Sequence, residues 1–106
     1  MSNSYRRYEI LLPRQFNDQQ AIPEDLLVET LLELEQRFGA VSSETQIIRG
    51  LWTHQGQSYR DELIRVFVDV PETPETQQFF GEFKERLKTR FRQIDIWMTS
   101  HLIEVI

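Results

Sequence analysis

Apolar residues along this chain follow two rhythms, a period of two and a period near 3.6. Over residues 5–12 they alternate, with Tyr8, Ile10 and Leu12 on one side and Arg7, Glu9 and Leu11 on the other. This predicts a strand with one strongly apolar face. A polar stretch over residues 14–21 follows, and then Pro23, Glu24 and Asp25 mark a helix start. Proline suits the first turn, and acids suit the positive end of the helix dipole. Leu27, Leu31, Leu34 and Phe38 recur at helical spacing up to Gly39, the natural C-terminal stop.

Residues 44–70 predict two strands around Gly56-Gln57, where glycine in the first central position suits a II′ hairpin turn. With Gln55 opposite Ser58, Ile47 faces Val66, Arg49 faces Ile64, Trp52 faces Asp61 and His54 faces Tyr59. One hairpin face then carries Ile47, Leu51, Ile64, Val66 and Val68, and the other Ile48, Trp52, His54, Tyr59, Leu63, Arg65 and Phe67. Thr73-Pro74-Glu75 starts a second helix with Phe80, Phe83, Leu87 and Phe91 as its buried stripe. A last strand from Ile94 sets Ile94, Ile96 and Met98 against Asp95, Trp97, Thr99 and His101.

The order strand, helix, strand, strand, helix, strand predicts an α+β, ferredoxin-like β-α-β-β-α-β fold. Right-handed crossovers place both helices on one face of a four-stranded antiparallel sheet, in the order 4-1-3-2. One domain over residues 1–106 is expected, with residues 1–4 flexible. Tyr8-Glu9-Ile10-Leu11-Leu12-Pro13, the hairpin from Ile48-Arg49-Gly50-Leu51-Trp52 to Arg65-Val66-Phe67-Val68, and Asp95-Ile96-Trp97 resemble a group of small uncharacterised bacterial proteins. The resemblance implies a compact single domain and brings no activity with it.

Composition narrows the function classes. A hydrophobic fraction of 40% and a charged fraction of 27% are those of an ordinary globular protein. With no cysteine there is no disulfide or thiolate metal site, and nothing calls for an oxidising compartment. The only early apolar run, from Ile10 to Pro13, is too short for a signal peptide, and no stretch approaches the ~20 residues of a membrane helix. A soluble, cytoplasmic protein is the expectation. The net charge of −5 opposes general nucleic-acid binding. Lys84, Arg86, Lys88, Arg90 and Arg92 on the second helix read as a solvated face favoured by its dipole.

No catalytic motif stands out. His54 and His101 fall on opposite edges of the expected sheet, roughly 14 Å apart by strand spacing, beyond the reach of one zinc ion. Asp61 and Glu62 are adjacent in a strand and point to opposite faces. The serines lie in no nucleophile motif, and Gly39, Gly50, Gly56 and Gly81 never cluster into a phosphate loop. No metal or cofactor is expected.

What remains is the sheet face without helices. Its expected residues include Arg7, Trp52, His54, Tyr59, Leu63, Arg65, Phe67, Trp97 and His101, a composition typical of interface cores. The leading reading is a non-catalytic binding or interaction module, homodimeric or joined to another protein through this face or by extending the sheet at an edge. Alternatively, Arg7 and Arg65 lie over the rings and hide them. The enzyme alternative is a small monooxygenase-like protein holding substrate between sheet and helices of a dimer.

Overall fold

The computed structural model describes residues 4–44 and 46–106, so most of the expected N-terminal flexible segment lies outside the described residues. Ser4 is tied down, since its carbonyl accepts a hydrogen bond from Glu72 N–H at 2.8 Å. The elements run β1 (Tyr5–Pro13), α1 (Glu24–Phe38), β2 (Ser42–Ser43), β3 (Ile48–His54), β4 (Gln57–Pro71), α2 (Pro74–Arg90) and β5 (Met98–Ile103). The described residues form an α+β fold with two helices and one antiparallel sheet. No helix among the described residues is long and apolar enough to cross a membrane.

Strand count and order depart from the expectation. The sheet has five strands ordered β2-β4-β1-β5, with β3 also pairing on β4, rather than four ordered 4-1-3-2. The cause is a break in the expected second strand. Ser43 pairs with Val66 and Ile48 with Leu63, so four residues (44–47) stand where β4 has two. A surplus of that kind cannot stay in a regular ladder.

The hairpin turn also differs. Gln55 and Gly56 carry positive φ of 51° and 78°, so they are the central pair, as a type I′ turn requires. His54 therefore pairs with Gln57, Trp52 with Tyr59 and Arg49 with Glu62. The register has slipped by two residues, which preserves the faces because side chains alternate with period two.

The core lies between sheet and helices. Ile10, Leu12, Val66 and Val70 from the sheet meet Leu34, Phe80, Phe83, Leu87 and Phe91 from the helical side, all almost fully buried. Tyr8 stacks on Phe80 with ring centroids 3.9 Å apart. Ile96 is buried and Trp97 exposed, as the alternation predicts, although the last strand begins at Met98 rather than Ile94.

Local signals fix the helix ends. Gly39 adopts φ 86°, and its N–H closes α1 on the Glu35 carbonyl. The Thr73 hydroxyl accepts from Thr76 N–H while Thr76 Oγ1 accepts from Thr73 N–H, a reciprocal cap that starts α2. Across the helix pair, Arg90 reaches Thr30 Oγ1 at 3.0 Å and Glu33 at 2.8 Å, and Arg86 reaches Glu33 at 2.6 Å.

The β3–β4 hairpin runs past the helices. The chain extends 49 Å in its long direction, and its radius of gyration of 14.6 Å exceeds the ~13 Å of a compact domain this size. Leu51 and Ile47, expected on the core side, are exposed because the helices do not reach that far.

Candidate binding site on the open sheet face

The open face divides into a charged centre and an aromatic end. At the centre β1 and β4 pair with Glu9 opposite Phe67, Leu11 opposite Arg65 and Arg7 opposite Asp69. Arg7 binds Asp69 through two hydrogen bonds of 2.7 and 3.0 Å. Arg65 binds Glu9 at 2.6 and 3.3 Å and also bonds Glu44. Both guanidinium groups lie over Phe67, 4.4 Å (Arg7) and 4.7 Å (Arg65) from its ring centroid. The arginines thus roof Phe67, the covering alternative noted from the sequence.

Two of these pairs favour the charged form of their carboxylates, Glu9 and Asp69. Arg65 keeps Glu9 below the usual carboxylate range through hydrogen bonds, against the opposing effect of burial. Arg7 does the same for Asp69. Facing two such layers together would desolvate several ion pairs at once, which association repays only with excellent geometry.

The aromatic end lies where the hairpin projects. Trp52 stacks on Tyr59 with centroids 4.4 Å apart, and its indole N–H donates to Asp61. His54 lies beside it, its ring centroid 6.3 Å from the indole. A cleft of about 670 Å³ opens between the hairpin and the α2–β5 connection. Leu11, Trp52, His54, Asp61, Leu63, Ile94 and Trp97 are among its lining residues. Such a volume suits a small-molecule site. Phe80, Phe83 and Phe91, by contrast, are buried in the layer between sheet and helices.

Of the nine candidate residues, Trp52, His54, Leu63 and Trp97 come together at the cleft, with Tyr59 beneath Trp52. Arg7, Arg65 and Phe67 form the charged centre instead. His101 lies opposite Arg7 on β5, across the sheet from His54 on β3. Among the described residues no three His, Asp or Glu side chains gather to hold a metal. The basic residues of α2 are engaged: Lys84 with Asp95, Arg86 and Arg90 with Glu33, and Lys88 with Glu85. Arg92, past the helix end, lies 3.8 Å from the Phe16 ring centroid. Sequence reasoning set Asp61 aside and missed its place in the cleft. Its signal was its short separation from Trp52 across the hairpin.

No family model and no curated protein matches the sequence. Solved structures of similar fold include a phage SAM lyase in complex with S-methyl-5′-thioadenosine. It has TM-score 0.67 and 15% identity, and the match covers 99% of this chain and 93% of that one. A phage SAM lyase in the apo state gives TM-score 0.64 and 17% identity, covering 93% and 81%. At these identities the likeness establishes the fold alone.

Proposed function

We propose that this chain is a binding module that works as a homodimer, its two copies joined along β5, with the aromatic end of the open face left free for a ligand. The architecture is read as a ferredoxin-like fold whose second strand is broken in two. The observation that carries the proposal is the state of the β5 edge. Leu11 N–H donates to the Trp97 carbonyl at 3.0 Å, so odd-numbered residues of β5 bond to β1. Met98, Ser100 and Leu102 therefore aim their backbone groups away from the sheet. Sheet edges are usually blunted by lysine, proline or a bulge, and residues 98–103 contain none of these. The other edge is interrupted between β2 and β3.

Antiparallel self-pairing of β5 adds about six ladder hydrogen bonds, each worth about 0.5–1.5 kcal/mol net. That is comparable with the low end of the roughly 4–15 kcal/mol that association costs. Exposed Leu102 must contribute through burial, and pairing in the micromolar to millimolar range is the expectation. Ser100→Pro tests this. It removes an N–H that β1 does not use and leaves the β1 ladder intact. Light scattering over a concentration series should find a dimer for the wild type and a monomer for the variant. A wild type that stays monomeric throughout removes the proposal.

The likeness to phage SAM lyases favours a second reading, in which the cleft carries small-molecule chemistry on an adenosyl sulfonium. Incubation with S-adenosylmethionine, followed by chromatography for S-methyl-5′-thioadenosine, decides it. A rate no greater than spontaneous breakdown rejects that reading.

A further inference from the structure

We propose that the cleft between the β3–β4 hairpin and the α2–β5 connection binds a small organic cation of the onium type, a methylated ammonium group. The proposal deepens the binding-module reading and rests on it. Two indoles line the cleft, and tryptophan is the aromatic side chain whose face attracts cations most strongly. Trp52 is held in place, its ring stacked on Tyr59 at 4.4 Å and its N–H given to Asp61. Trp97 is 66% exposed, and Leu51 and Ile94 of the same lining are exposed beside it, so the cleft presents a contiguous apolar patch to solvent.

Charge selects the ligand's sign. The lining holds two carboxylates, Asp61 and Asp95, against one ammonium, Lys88, with His54 as the remaining titratable group. Asp95 already pairs with Lys84 at 3.2 Å, and Lys88 with Glu85 at 3.3 Å. Asp61 accepts from the Trp52 indole and has no ion-pair partner among the described residues. An anion would meet this net negative lining unfavourably, and a purely apolar ligand would cover Asp61 without answering its charge. An onium group does both things required: its methyl groups pack against the indoles, and its charge faces the carboxylate.

Choline is the probe, with the uncharged alcohol in which tert-butyl replaces trimethylammonium as its isostere. Tryptophan fluorescence should titrate saturably with choline and about tenfold more weakly with the alcohol, the factor expected of a partly desolvated cation–π contact. Trp97→Leu and Asp61→Asn should each weaken choline binding several-fold. Asparagine keeps an acceptor for the Trp52 N–H and Trp97 is exposed, so both variants should unfold thermally as the wild type does. Equal binding of choline and the alcohol overturns the proposal, as does a choline response no different from potassium chloride at equal ionic strength. Light scattering on the same samples separates the two claims: choline binding by a monomer removes the dimer and keeps this site, and a dimer that ignores choline removes only this site.

Discussion

Replacing Arg65 by methionine removes the charge at the centre of the open face while keeping much of the packing of its aliphatic stem. Arg65 gives two hydrogen bonds to Glu9 and one to Glu44, and its guanidinium lies over Phe67. Charge-assisted hydrogen bonds contribute about 1.5–3 kcal/mol each when sheltered, and exposed ion pairs about 0–1. The Arg65 and Glu9 side chains are 23% and 25% exposed, which places this pair between those limits. Adding about 0.5–1 kcal/mol for the contact with Phe67, the variant should lose about 2–3 kcal/mol of stability. Urea unfolding at pH 7 measures the loss. A cycle with Glu9→Gln should give a coupling of about 1–2 kcal/mol.

The same pair has a pH signature. Because Arg65 lowers the Glu9 pKa in the folded state, its contribution is complete above the unfolded carboxylate value of about 4.3 and fades as pH falls through the folded value. The Arg65→Met penalty should therefore shrink between pH 7 and pH 3. A penalty below about 0.5 kcal/mol at pH 7, or one that does not change with pH, refutes the ion-paired roof.

Phe83→Ala should cost about 3–5 kcal/mol by opening a cavity beneath α2, measured by denaturant midpoint at unchanged slope. Thermal stability of the wild type should fall from pH 6 to pH 3. Glu33 contributes along with Glu9 and Asp69: burial works to raise its pKa, but the hydrogen bonds from Arg90 and Arg86 outweigh it and leave the value lowered. A flat calorimetric profile over that range would contradict those shifts. Because the basic residues of α2 are paired, any retention on a polyphosphate matrix should vanish well below physiological salt, and salt-resistant retention would contradict that pairing.

Period and punctuation made much of the fold legible. Gly39 and Thr73 end and start helices for local reasons, and the alternation in β4 sorts Val66 and Val68 from Arg65 and Phe67 without any tertiary information. The turn departs from the expectation because Gln55 is not a residue that advertises positive φ, so the sequence pattern points to Gly56 as the first central position where the structure has it second. The split of the second strand depends on where β2 meets β4, which no local pattern records.

The site was legible as a set of residues and not as an arrangement. Trp52, His54, Leu63 and Trp97 were named from their faces, yet their convergence depends on the α2–β5 connection rounding the end of the sheet. Likewise, Glu9 meets Arg65 only because of the β1–β4 register, set by strands far apart in sequence. That register gives the face its charged centre.

Amide hydrogen exchange along β5 as a function of protein concentration tests the pairing most directly. Leu102 and Ser100 N–H groups, which point away from β1, should exchange quickly in dilute protein and become protected as concentration rises, in step with the dimer mass from light scattering. Thr99 and His101, bonded to β1, should be protected throughout. If Ser100 and Leu102 exchange quickly at every concentration, including those at which a dimer forms, β5 is not the interface and the account of this chain as an edge-paired module is wrong.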